Sequence, residues 1–303
     1  MSSPSRLFIF GLGYTGLMTA RHFKARGYHV SGTVRSIEKA RQIEAKHDIP
    51  VFTFDDNRPL KSKADLLDAD YILSTVPPVR DEMDYPDAVL RHHLEDFKHP
   101  NHPPKWIGYL SSTGVYGDTQ GEWVDENAPL LGNRVPGRVI ADRGWQEAFA
   151  LEDLPVHIFR LPGIYGPGRS TLERAAEGRA ARIAAPGHVF SRIHVEDIIS
   201  ALELSIAKPN PGAIYNIADN EPSSAADVSA YAHKLLGMDP PPLTPLEHAG
   251  LSPIGKSFYQ ECRRVKNDKA KHDIGWSPKY PSYKEGLQAC LKCFSEDKRS
   301  TFT

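Results

Sequence analysis

Leu7-Phe8-Ile9-Phe10 is an unbroken apolar run, the pattern of a strand covered on both faces. It meets Gly11, Gly13 and Gly16, after which Leu17, Ala20 and Phe23 fall on one side of a helix-length segment. Further strand-like runs stand at 28–34, 51–54, 71–76, 106–111 and 156–161, with helix-like segments at 36–47, 84–97 and 138–151. Strand and helix alternating at this spacing predict parallel βαβ units and a Rossmann-type, doubly wound α/β sheet. After Pro162 the texture changes. Residues 163–168 are turn-rich, and Val195, Ile198, Ile199, Leu202 and Ile206 recur at the spacing of an amphipathic helix. A strand is expected at 213–217 and helices at 225–236 and 283–294, with Pro240, Pro241, Pro242 and Pro245 marking an exposed connection. The expected organisation is a dinucleotide-binding domain over 1–164 and a smaller substrate lobe over 165–303, partly interleaved with the first.

Composition narrows the class. The 303 residues carry 37 Lys+Arg against 38 Asp+Glu, a net charge of −1, so no general field attracts a nucleic acid or an anionic membrane. No stretch approaches the ~20 apolar residues of a membrane span. Three cysteines (Cys262, Cys290, Cys293) make no disulfide framework and suit a reducing compartment. A cytoplasmic protein acting on a small molecule is the expectation.

Gly11-Leu12-Gly13-Tyr14-Thr15-Gly16 is a GxGxxG between a strand and a helix. The first glycine permits the tight turn, the second lets backbone approach a pyrophosphate, and the third packs helix on strand. The N–H groups that open the helix then face the phosphates. An NAD site carries an acid about 20 residues further on, but Ser31-Gly32-Thr33-Val34-Arg35-Ser36 has none. Arg35, with a Ser36 or Thr33 hydroxyl, suits a 2′-phosphate, which favours NADP(H) over NAD(H). Asp55 stands either at the adenine edge or as the cap of the next helix.

Several blocks then coincide in order: the glycine loop, Leu110-Ser111-Ser112-Thr113-Gly114-Val115-Tyr116-Gly117, Arg160-Leu161-Pro162-Gly163-Ile164-Tyr165-Gly166-Pro167-Gly168, and Ile193-His194-Val195-Glu196-Asp197-Ile198. Together they resemble the NAD-dependent epimerase/dehydratase branch of the short-chain dehydrogenase/reductase superfamily, as an atypical member. The resemblance implies that Ser112 holds the substrate oxygen and that Pro162, Gly163 and Ile164 touch the nicotinamide carboxamide. It puts Ser74, Thr75 and Val76 beside the coenzyme ribose. A sugar, a nucleotide sugar or another small carbonyl or hydroxyl compound is the implied substrate, and a homodimer the implied assembly.

One family feature is missing. The YxxxK pair has no counterpart, since no tyrosine lies between Tyr116 and Tyr165 and no lysine between Lys105 and Lys208. Alignment on the helix places Arg134 and Arg138 where Tyr and Lys would stand. Arginine stays protonated and cannot alternate as donor and acceptor. Arg138 then holds the ribose, Arg134 a substrate carboxylate or phosphate, and proton transfer falls to Tyr116, with Tyr165 and His194 as weaker alternatives. The alternative function is a catalytically degenerate NADP(H)-binding regulator. His92, His93, His99 and His102 look metal-like but do not converge by spacing, so no metal is expected.

Overall fold

Apolar runs and glycine turns become strands and crossovers in a computed structural model, which describes residues 4–79 and 84–300. The chain runs β1 (Arg6–Phe10), α1 (Tyr14–Ala25), β2 (His29–Val34), α2 (Ile37–His47), β3 (Val51–Thr53), α3 (Ala64–Leu67), β4 (Tyr71–Ser74), α4 (Ala88–His93) and β5 (Trp106–Ser112). Next come β6 (Trp123–Val124), α5 (Pro136–Ala150), β7 (Val156–Leu161), β8 (Gly163–Tyr165), α6 (Thr171–Ala176), β9 (Arg182–Ala184), β10 (Arg192–His194), α7 (Val195–Ala207) and β11 (Ile214–Asn216). The last part holds α8 (Ala225–Leu235), β12 (Leu243–Pro245), α9 (Pro253–Ser257), β13 (Arg264–Val265), α10 (Asp268–Ile274) and α11 (Tyr283–Ser300).

Seven strands form one sheet in the order β11-β7-β5-β4-β1-β2-β3, in which β3, β2, β1, β4 and β5 pair in parallel. Strand order reverses between β1 and β4, the switch point at which doubly wound sheets bind ligands. The Rossmann-type expectation is met. The helix expected at 84–97 is shorter: Asp87 caps α4 by accepting from the Val89 and Leu90 N–H groups, and a separate 3-10 turn covers Glu95–Lys98. The apolar stripe of α7 is realised, with Val195, Ile198, Ile199, Leu202 and Ile206 all buried.

Two compact units emerge, neither contiguous in sequence. One comprises Met1–Val115, Gly132–Arg160 and Ala201–Tyr215; the other comprises Tyr116–Leu131, Leu161–Ser200 and Asn216–Thr303. Segments 116–131 and 201–215 thus cross the sequence position 164 in opposite directions. Within the first unit, Phe8, Phe10, Ile72, Val89, Ile107, Tyr109, Trp145 and Ile158 share a core. Tyr109 stacks on Trp145 with centroids 5.2 Å apart. The second unit has its own core of Leu172, Ala175, Val228, Tyr283, Leu287 and Cys290. Short parallel pairs β8–β10, β9–β12 and β6–β13 complete it.

Candidate functional site

The turn after β1 is held from both sides. Gly11 has φ +90°, its N–H donates to Thr33 Oγ1 (2.9 Å), and its carbonyl accepts from Thr75 Oγ1 (2.6 Å). A Cβ on Gly16 would lie 2.1 Å from the Gly11 carbonyl oxygen, so helix and turn approach too closely for any side chain. Gly13 differs. Nothing lies within 4 Å of the position its Cβ would take, and it caps α1 without any side-chain hydrogen bond. With no acid in its first turn and no capping side chain, the N-terminus of a twelve-residue helix thus opens beside unfilled space. Tyr14 and Thr15 form its first turn, and the Thr15 carbonyl is taken by Thr19 Oγ1.

At the end of β2, Arg35 is exposed and makes no hydrogen bond or ion pair among the described residues. Ser36 is the N-cap of α2, accepting from the Lys39 N–H at 3.3 Å. Thr33, paired in the sequence reading with the 2′-phosphate, is turned inward and buried on Gly11, so that hydroxyl is not offered there. Asp55 closes a local turn, accepting from the Asn57 N–H (2.9 Å) and facing Arg58 Nε at 3.4 Å. Ser74 is fully buried and its hydroxyl has no partner among the described residues, while Thr75 and Val76 flank Gly11. In this unit the structure brings together Gly11, Gly13, Gly16, Thr75 and Val76.

Ser112 ends β5 half-buried. Its Oγ accepts from the Gly114 N–H at 3.1 Å, which leaves the hydroxyl proton available to a ligand. Gly132 makes the local arrangement possible: its N–H donates to the Val115 carbonyl (2.9 Å), and a Cβ there would lie 2.4 Å from the Gly114 carbonyl oxygen. The chain running on from Gly132 brings Arg134 Nη2 within 3.9 Å of the point where a Gly114 Cβ would sit, and Ser112 Oγ lies 3.2 Å from that point. Arg134 precedes α5, whereas Arg138 lies in its first turn, near enough for its charge to act on the buried Tyr109 phenol. Burial first, and Asp87 second, hold that phenol well above its ordinary range.

Sequence reading missed the anchor of α5. Asp142 is fully buried and accepts from Arg160 Nε (3.1 Å), Arg160 Nη2 (2.8 Å), Ser111 Oγ (2.5 Å) and Gln146 Nε2 (2.8 Å). The available signal was an arginine inside the apolar strand β7, which needs a buried counter-charge.

Tyr116, Pro162, Gly163 and Ile164 belong to the second unit. Tyr116 is 1% exposed and donates its hydroxyl proton to Asn216 Oδ1 at 2.7 Å, while Glu126 Oε1 accepts from the Asn216 N–H. The proton-transfer role expected of it thus meets a phenol shut away from solvent with its proton engaged by Asn216. The two weaker candidates fare similarly. Tyr165 is buried, its phenol is raised far above the ordinary range by burial, and it faces the Ser282 carbonyl at 3.4 Å. Buried His194 is pushed down to about 4, and its Nδ1 accepts from the Glu196 N–H at 3.3 Å, so it is a neutral packing group against Tyr280. Gly163 is exposed at the start of β8 and pairs with Arg192.

Three of the four histidines take separate partners: His93 meets Asp96 and the Leu60 N–H, His92 the Asp56 carbonyl, and His102 Asp70. No group of three metal-ligating side chains converges among the described residues. A cavity of about 460 Å³ in the second unit is lined by His194, Glu196, Lys279, Tyr280 and Cys293 among others. Its lysine and glutamate are bound to each other at 2.8 Å. No helix among the described residues is long and apolar enough to cross a membrane.

No family model matches the chain. Among curated proteins it is 34% identical over 256 residues to Protein YeeZ of Escherichia coli, covering 78% of this chain and 85% of that one. Over 300 residues it is 27% identical to a 3-diazoavenalumate denitrifying reductase of Streptomyces sp., covering 87% and 92%. The chain belongs to the NAD-dependent epimerase/dehydratase family. Within the short-chain dehydrogenase/reductase superfamily it is an atypical member, lacking the YxxxK pair. A solved structure of a conserved protein of unknown function from Silicibacter pomeroyi DSS is 39% identical, with a TM-score of 0.83 and coverage of 95% and 98%. Nucleotide-sugar dehydratases and an epimerase solved with NAD, 16–20% identical, share the fold at TM-scores of 0.73–0.76.

Proposed function

We propose that the protein is an NADP(H)-dependent oxidoreductase that reduces a small carbonyl compound, or oxidises the corresponding alcohol. The observation that carries this reading is the glycine turn, where an uncapped helix N-terminus faces open space at Gly13 while the adjoining glycines are packed to contact. That cradle fits a pyrophosphate. Arg35, exposed and uncommitted at the end of β2 with no acid beside it, supports selection of the 2′-phosphorylated coenzyme. Ser36 adds an α2 N-terminus next to it.

The coenzyme, when bound, supplies or takes up the hydride. The chain's own residues do the rest. Ser112, its oxygen already bonded by the Gly114 N–H, donates its proton in a hydrogen bond to the substrate oxygen and polarises the carbonyl. Arg134 stabilises negative charge as it develops on that oxygen, an electrostatic role suited to a group that never loses its proton. Arg138 holds the ribose. With the Tyr116 proton engaged by Asn216, water delivers the proton that completes reduction. An arginine pair thus replaces proton relay by charge stabilisation.

The test is oxidation of NADPH by the purified chain with a panel of carbonyl compounds, repeated with Ser112→Ala. Loss of an oxyanion-type donor is expected to lower kcat roughly 100-fold to 1,000-fold while leaving NADPH affinity unchanged. Tight NADPH binding without turnover on any carbonyl would overturn the enzyme reading in favour of a coenzyme-dependent regulator.

A further inference from the structure

In the second unit a guanidinium stands among aromatic rings with three of its five donors unused among the described residues. Arg192 Nη1 donates to the carbonyls of Phe190 and Ser223, both at 2.9 Å. Those residues are themselves bridged by reciprocal backbone hydrogen bonds of 3.0 and 3.1 Å, so the side chain is fixed in place. Among the described residues Nε and Nη2 make no hydrogen bond, and Arg192 remains partly exposed. Nε and Nη2 form the side-on edge of the fork, whose two parallel N–H groups match the two oxygens of one carboxylate.

Around that edge the surface is aromatic. The Phe190 ring lies 5.8 Å from Arg192 Cζ, and Tyr259 stands edge-on to Phe190 at 5.3 Å. His188 joins them at 4.6 Å from Phe190 and ties the Glu261 carbonyl through Nε2 (3.1 Å). All three rings are only half-buried. The Arg192 side chain also passes 3.9 Å from the point where a Gly163 Cβ would sit, in the segment expected at the nicotinamide.

Charge around the cluster favours one negative group. Arg174 is exposed and makes no ion pair among the described residues, and its field, with that of Arg192, acts on Tyr259. Glu261 is committed to Arg263 at 3.0 Å and Glu221 to Lys284 at 3.3 Å. Asp219, pushed up to about 8 by burial, feels the Arg192 charge as the first influence that offsets that burial. A diphosphate would meet those acids with more than twice the charge of a carboxylate, and one free guanidinium edge cannot satisfy its oxygens.

We propose that Arg192 and the Phe190–Tyr259 rings bind the carboxylate and ring of a planar aryl or aryl-alkenyl acid at the surface of the second unit; this binding does not depend on the reductase reading. The full chain is titrated with trans-cinnamate by calorimetry without coenzyme, with cinnamyl alcohol and UDP as comparisons, and NADPH is titrated separately. Trans-cinnamate is expected to bind, cinnamyl alcohol to bind at least tenfold more weakly, and UDP more weakly than the acid. Arg192→Gln is expected to lower cinnamate affinity roughly tenfold to 100-fold, the value of a charged hydrogen-bonded pair. Arg192→Lys restores little, because an ammonium lacks the fork.

Arg192 also ties two carbonyls, so Tyr259→Leu and Arg174→Gln, on partly or fully exposed side chains, provide the second arm; each is expected to cost about two- to tenfold. No heat with trans-cinnamate, equal affinity in all the variants that fold, or UDP binding more tightly than cinnamate would overturn the proposal. Cinnamate binding by a chain that binds no NADPH would overturn the reductase reading and leave this site standing.

Discussion

Replacing Asp142 by Asn tests how α5, which carries Arg138, is held to the sheet. The substitution keeps the volume of the side chain and removes its charge. Four donors converge on the carboxylate, two from Arg160 at 2.8 and 3.1 Å, one from Ser111 at 2.5 Å and one from Gln146 at 2.8 Å. An amide retains one acceptor oxygen and turns a donor toward groups that also donate, so at least one pair of N–H or O–H groups must face each other. Both ionic side chains are essentially excluded from water. Breaking such a pair by removing one partner costs about 3–5 kcal/mol, because the remaining charge is buried without compensation. The lower end, about 3 kcal/mol, is expected here because the amide oxygen still accepts one bond. In urea titrations followed by tryptophan fluorescence, which reports buried Trp145 in the same core, this should appear as a lowered midpoint with an unchanged slope. The double replacement Asp142→Leu with Arg160→Met removes both charges and is expected to recover most of the loss. A loss below about 1 kcal/mol for Asp142→Asn would refute the view that this pair anchors the helix.

Arg35→Ala should weaken NADPH roughly tenfold to 100-fold, from loss of a charge-assisted phosphate contact, while NADH affinity changes by less than about twofold. Direct titration with both coenzymes decides this, and an equal effect on the two would remove Arg35 from the 2′-phosphate site. Gly13→Val is expected to leave the melting temperature within a few degrees, since its Cβ meets nothing within 4 Å, yet to abolish NADPH binding by filling the phosphate space. Retained binding in that variant would disprove the cradle. His157 is pushed down to about 4 by burial and accepts from the Asn210 N–H at 3.0 Å through Nε2. Its folded value lies below the unfolded value near 6.5, so its contribution is present above pH 6.5 and is lost as pH falls toward 4, by about 3 kcal/mol. His157→Gln keeps the acceptor without the titration and should flatten part of that acid slope in urea unfolding between pH 7 and 4.5.

Arg192 and Tyr116 mark the limits of the linear reading from opposite sides. Tyr116 stood in the right block and carried the right chemistry, but what surrounds a side chain depends on residues brought from elsewhere in the chain. Asn216, at the end of β11, occupies its hydroxyl. Arg192 stands one residue ahead of the Ile193–Ile198 block, and its setting took shape only where Phe190, Ser223 and Tyr259 gathered around it. Asp142 and Arg160 were both visible as letters, and neither signals the other until α5 is laid against β7.

Local rules determined the rest. Continuous apolar runs, helical spacing and glycines at a turn act over a few residues, so β1, the turn after it, α1 and the stripe of α7 followed from the sequence alone. The missing tyrosine and lysine were equally plain there. Tertiary structure alone decided which protons and charges remain available, because desolvation and hydrogen-bond partnership are set by packing between distant segments. Those two effects fix whether a phenol can give up a proton and whether a guanidinium has donors to spare.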